Sequence, residues 1–258
     1  VLSQCGEDLA HLVVHVNKMS EDSKREDFVK YLVERIRFQL RGVKFDPDTK
    51  EILTKYKEHN NIFKMLLTLN IHLLNQQNSK FESDSDVYKF PFDVLNAQDW
   101  DIEHIDSFHT NALKGEDDKK EWIATAIADL PELSEEIKTE VNGYLQNKQY
   151  DSAISKLKAA ANEVDPDDER KNSIGNLTLL ASSTNRKYGN SLFCTKRKII
   201  IERMKQGVFV PTGTQYIFYK FFDPSGTNRS QWTDKDMEEY HKYVYDNIIE
   251  YLKSNTDG

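Results

Sequence analysis

Two short segments, far apart in the chain, carry residue types that suit metal-assisted hydrolysis. In the first, the carboxylate of Glu103 directly precedes His104. The second offers the amides of Asn176 and Asn185. Carboxylate and amide oxygens suit a hard divalent cation such as Mg²⁺, and a neutral histidine beside such a cation can take a proton from water. Together these groups predict hydrolysis of a phosphodiester with one metal ion.

The sequence around these residues resembles the HNH, or ββα-metal, nuclease superfamily. In that pattern an acid–histidine pair ends one strand, a second strand carries an asparagine, and a following helix supplies a last histidine or asparagine. Within this superfamily, the motifs of the chain resemble the C-terminal nuclease module of GmrSD-type modification-dependent restriction proteins, which SspE-like proteins share. The similarity covers roughly residues 86–252 and rests on four motifs: Trp100-Asp-Ile-Glu-His-Ile-Asp106, Ile174-Gly-Asn-Leu-Thr-Leu-Leu180, Asn185 and Asn190-Ser-Leu-Phe-Cys-Thr-Lys196.

The resemblance implies a role for each residue of the site. Glu103 and Asn185 would hold Mg²⁺, for which Mn²⁺ would substitute, and His104 would activate the attacking water. Asn176 would hydrogen-bond across the loop and hold the base in place. One departure is Asp106, where many family members have proline. We interpret Asp106 as a local variation, either a solvated side chain or an added outer-shell carboxylate.

A basic segment follows the amides, and we expect it to contact DNA phosphates. The net charge of −8 argues mildly against a stand-alone DNA binder, because phosphate contact drives nucleic-acid affinity. Local charge beside the scissile bond matters more than the total charge, however. Asn190 is a candidate for either a phosphate contact or a helix cap. The expected DNA contacts are Arg186, Lys187, Asn190, Lys196 and Arg197.

Composition indicates a folded protein. With 258 residues, of which 30% are charged, the chain can form one large domain or two small ones. It has no apolar stretch long enough to cross a membrane and no signal peptide at Val1, so we expect no membrane partner. Cys5 and Cys194 give neither zinc spacing nor a disulfide framework, which favours the cytoplasm.

We predict a mainly α fold with a small β element, in which a helical domain precedes a ββα-metal (HNH) core. Residues 1–85 form the helical domain, a linker or buttress, and residues 86–258 form the nuclease domain. Residues 116–165 are a large helical insertion, which either discriminates substrates or is a structural buttress. We predict strands at 100–104, 174–180 and 215–222, from alternation of apolar and polar residues or from β-branched and aromatic content. Helices are expected from about Asn190 and from Thr233.

The leading hypothesis is a metal-dependent HNH endonuclease or nickase module of a phage-defence restriction protein. Its partners would be double-stranded DNA, including modified DNA, and an NTPase sensor module in the same longer chain or in a separate subunit. The main alternative is a catalytically silent helical module that binds DNA or a protein partner. The presence of Glu103, His104 and Asn185 argues against that alternative. The acidic net charge argues against a secreted toxin nuclease.

Overall fold

The computed structural model is mainly helical, as the sequence predicts. It describes residue 14 and residues 24–80, 88–106, 113, 115–130, 133–161, 169–185, 191–222 and 230–253, with only the backbone of Arg25 and Asn185. Two small antiparallel strand pairs lie among the described residues. The chain divides into two units, and the first joins residues 1–90 to residues 241–258 while the second is residues 91–240. The end of the chain therefore groups with the N-terminal region, whereas the sequence assigned it to the second domain.

The first unit is built on two helices joined by a hairpin. Helix α1 spans Arg25–Leu40 and helix α2 spans His59–Asn78. Between them β1 (Phe45–Asp46) pairs antiparallel with β2 (Glu51–Ile52), a hairpin that the sequence did not predict. Helix α2 supplies the apolar core because its large side chains are fully buried, namely Ile62, Met65, Leu66, Leu67, Leu69 and Leu73.

A half-buried histidine links this hairpin to the last helix, α10 (Asp234–Leu252). Nε2 of His241 accepts a hydrogen bond from the backbone N–H of Ile52 at 2.8 Å, so the ring must be neutral. Burial lowers the pKa of His241 below its usual 6.5, and nearby Glu51 opposes this shift. The unfolded chain therefore binds this proton at a higher pH than the folded chain does.

This arrangement predicts acid sensitivity. Stability from His241 is fully present above pH 6.5 and is lost as the pH falls towards the folded pKa, by up to about 1.4 kcal/mol per pH unit. His241→Gln, which retains an acceptor, should reduce the pH dependence of the free energy of unfolding between pH 7.5 and 5.5. Urea titration at each pH measures this free energy. His59→Gln is the control because His59 is exposed. Equal slopes in the wild type and His241→Gln would refute the assignment.

The second unit is organised around two strands. Strand β3 (Trp100–His104) pairs antiparallel with β4 (Leu177–Ala181), with Glu103 opposite Thr178 and His104 opposite Leu177. A short helix, α3 (Phe92–Ala97), precedes β3. The strand predicted at 100–104 is confirmed. The strand predicted at 174–180 begins later, because residues Ile174–Asn176 form a 3₁₀ turn.

The predicted insertion is helical. It contains α4 (Glu116–Asp129), α5 (Glu135–Gln146) and α6 (Tyr150–Ala160). Their buried side chains form one core that also includes Leu192 and Cys194, at the start of the next long helix, α8 (Phe193–Lys205). This shared core supports α8 from one side, which fits the buttress interpretation.

The predicted strand at 215–222 is wrong. Residues Thr212–Phe218 form helix α9, and a turn follows in which Lys220 has a φ of 59°. The Oγ1 of Thr214 donates to the carbonyl of Leu179 at 2.6 Å, and Ile217 is fully buried at the helical spacing of three residues. Packing against β4 thus overrides the β propensity of this segment, which depends strongly on context.

The last helix matches its prediction. Helix α10 begins at Asp234, directly after Thr233, and its apolar stripe is buried at Met237, Tyr240, Val244 and Ile248. No helix in the described part of the chain has the length and apolar character needed to cross a membrane.

Candidate functional site

Strand pairing brings the two predicted motifs together. Glu103 and His104 end β3, and Asn176 directly precedes β4. The backbone N–H of Ile105 donates to the carbonyl of Asn176 at 2.9 Å, one step beyond the last paired residues. The acid–histidine pair and the middle amide are therefore neighbours, although the whole helical insertion separates them in the sequence.

The Asn176 side chain binds the loop that follows His104. It is fully buried, and its Oδ1 accepts from the N–H of Asp106 at 2.8 Å. Its Nδ2 donates to the carbonyls of Asp106 at 2.7 Å and Lys171 at 3.1 Å. These three hydrogen bonds fix the backbone on both sides of the site. Asp106 itself is only 2% exposed, so the prediction of a solvated side chain is wrong at this position.

His104 contacts an amide that the sequence analysis did not identify. Its Nε2 lies 3.2 Å from Oδ1 of Asn172, an exposed residue at the end of the 3₁₀ segment Glu169–Asn172. Because an amide oxygen only accepts, this hydrogen bond requires the proton on Nε2. A neutral ring then has its lone pair on Nδ1, the nitrogen suited to accept a proton from water. No local motif marks Asn172 in the sequence.

Glu103 is paired with a buried lysine. Nζ of Lys196 lies 2.8 Å from Oε1 of Glu103 and 2.7 Å from the carbonyl oxygen of His104. Lys196 is 0% exposed and Glu103 is 8% exposed. The predicted contact of Lys196 with a DNA phosphate at the surface is therefore wrong: helix α8 turns this side chain inward, where the carboxylate and the carbonyl compensate the burial of its charge.

The remaining predicted residues are only partly described. Asn185 ends the short helix α7 (Ser182–Asn185), whose backbone packs against both β3 and β4, but its side chain is outside the described atoms. Arg197 is half-buried on α8. Metal binding by Asn185 and a phosphate contact by Arg197 thus stay predictions. Three further predicted DNA contacts lie outside the described residues, namely Arg186, Lys187 and Asn190.

The oxygens at the end of β3 fit a hard cation. The Glu103 carboxylate and the His104 carbonyl already surround one positive charge, the ammonium group of Lys196. Among the described residues, no cluster of three or more histidine, cysteine, aspartate or glutamate side chains is arranged to hold a metal. Carboxylate and amide oxygens, such as those of Glu103 and a nearby asparagine, are donors that hard cations accept.

No family model, no curated protein and no solved structure matches this chain.

Proposed function

We propose that residues 91–240 form a metal-dependent HNH endonuclease or nickase core that hydrolyses double-stranded DNA. One observation carries the proposal: Asn176, fully buried, binds the loop directly after the Glu103–His104 pair. If Glu103 and His104 were only a solvated surface pair, the loop after them would need no such anchor. A histidine that must face a scissile phosphate does need one, because general-base catalysis depends on its position.

In this proposal His104 acts as the general base. It takes a proton from a water molecule that attacks the phosphorus, and the products carry a 5′ phosphate and a 3′ hydroxyl. Asn172 holds the proton on Nε2, so that Nδ1 is the accepting nitrogen. Asn176 holds the backbone of the loop that follows His104, and it thereby fixes the position of the base relative to the phosphate.

Glu103 and Asn185 would hold the Mg²⁺ ion. When bound, the metal neutralises charge on the phosphate and stabilises the leaving 3′ oxygen. The position of Glu103, directly before His104 at the end of β3, supports this role. The half-buried Arg197, together with Arg186 and Lys187, supplies the proposed contacts with the DNA backbone.

A plasmid-nicking assay tests the function. Supercoiled DNA should be converted to open-circle or linear forms by the 258-residue chain with Mg²⁺ or Mn²⁺, and EDTA should stop the reaction. Plasmids with and without base or backbone modification, tested in parallel, will reveal whether modified DNA is preferred. If no plasmid is cut at any concentration of either metal, the proposed activity is wrong.

The second candidate is a catalytically silent module that binds DNA or a protein partner. The ion pair between Lys196 and Glu103 favours it, because an ammonium group lies on the carboxylate that should bind the metal. A silent module should shift DNA in an electrophoretic assay without cutting it, and EDTA should leave that binding unchanged. A place in a phage-defence restriction protein with an NTPase sensor module rests on the sequence resemblance alone.

A further inference from the structure

We propose that Lys196 is a positioning residue of this site that also competes with the divalent cation for the Glu103 carboxylate. The inference rests on the proposed function, since Glu103 is taken as a metal ligand. It starts from a single nitrogen atom: Nζ of Lys196 binds both Oε1 of Glu103 and the carbonyl oxygen of His104. One ammonium group thereby joins the carboxylate to the backbone of the proposed base.

The burial of Lys196 indicates that this contact is specific. Lysine is rarely buried completely unless its charge is paired, because desolvating an ammonium group is costly. Lys196 has no exposed surface, whereas Lys198, on the same helix, has a side chain that is 58% exposed. A lysine required only for the stability of α8 has no need to reach a carboxylate at the end of β3.

The helix that carries Lys196 is itself held in place. Thr195 and Lys198 both bind the Asp129 carboxylate at the end of α4. These bonds tie the first turns of α8 to the insertion. The insertion thereby has an indirect role in positioning the helix that carries Lys196.

Two consequences follow for a cation at Glu103. Because Oε1 accepts from Lys196, the carboxylate is oriented to offer a single oxygen to the metal. The ammonium charge also repels a divalent cation placed on the same carboxylate, and this repulsion is strong where water is excluded. Lys196 should therefore keep the site ordered without metal and raise the metal concentration needed to fill it.

Calorimetric titration with Mn²⁺ tests the competition. Lys196→Met should bind Mn²⁺ about tenfold more tightly than the wild type, equivalent to ~1.4 kcal/mol. It should also nick DNA more slowly, because no ammonium group then joins the Glu103 carboxylate to the backbone carbonyl of His104. Lys196→Arg, which keeps the charge, should bind Mn²⁺ with nearly the parent affinity. Lys205→Met is the matched control, because Lys205 ends the same helix with a side chain that is 71% exposed, and it should leave the Mn²⁺ affinity unchanged.

A second measurement does not depend on Lys196→Met. Lysine labelled with ¹⁵N gives a ¹H–¹⁵N signal for a buried, hydrogen-bonded ammonium group, which the Lys196→Arg spectrum assigns. Titration with Mg²⁺ should shift this signal in the wild type and leave it in place in Glu103→Gln. This experiment decides the matter if Lys196→Met does not fold.

The outcomes separate this inference from the proposed function. Any of three results overturns the role of Lys196. These are unchanged or weaker Mn²⁺ binding by folded Lys196→Met, an ammonium signal that does not shift when Mg²⁺ is added, and no Mn²⁺ binding by any form. If the wild type nicks DNA and those results are obtained, only this inference fails. If the Lys196→Met affinity rises as expected but the wild type cuts no DNA, the competition holds and the nuclease proposal fails.

Discussion

His104→Ala is expected to reduce metal-dependent nicking of plasmid DNA by about 10²–10⁴-fold, the usual contribution of a positioned general base. The fold should survive, because the His104 side chain is only half-buried and hydrogen-bonds to the exposed Asn172. Initial rates of open-circle formation at saturating Mg²⁺ measure the loss, and circular dichroism checks the fold.

Two control variants sharpen this result. Asn172→Ala should lower the rate by a smaller factor than His104→Ala, because Asn172 only orients the ring. His59→Ala, an exposed histidine of the other unit, should nick DNA like the wild type. Parent-level nicking by purified His104→Ala would exclude His104 as the base.

Asn176→Ala is expected to have the second largest effect, on stability and on activity together. The substitution leaves the N–H and carbonyl of Asp106 and the carbonyl of Lys171 without this buried partner. Each lost hydrogen bond contributes about 0.5–1.5 kcal/mol, so the loss of three should lower the free energy of unfolding by about 1.5–4.5 kcal/mol. Nicking should slow as well, whereas Mn²⁺ affinity should be nearly kept, because Asn176 positions the loop and does not bind the metal.

The conservative variant separates the two halves of this amide. Asn176→Asp can still accept from the N–H of Asp106 but cannot donate to the two carbonyls, so it should remain strongly destabilised. Asn147→Ala is the control, since Asn147 is exposed and its side chain makes one described hydrogen bond, to Gly143. Urea titration compares all three. An Asn176→Ala variant as stable as Asn147→Ala would mean that the loop after His104 is held by other contacts.

Local patterns predicted most of the helical structure. The insertion helices and α10 carry apolar residues at helical spacing, and that spacing alone selects the face that is buried. The strand at 100–104 was also predicted from its own residues. The segment 215–222 was not, because its aromatic and β-branched residues suit a strand, whereas packing on β4 places Thr214 and Ile217 on one face of a helix.

The candidate site shows the same division. The sequence by itself determined the residue types of the site: an acid–histidine pair at the end of one strand, and an amide expected within a second one. The structure places that amide just before the second strand. Only the tertiary structure decided that Asn176 binds both backbone groups of Asp106 and that Lys196 turns inward onto Glu103. These contacts join residues far apart in the chain, and their geometry depends on strand register and on how α8 packs. Residue spacing within a segment carries no information about either.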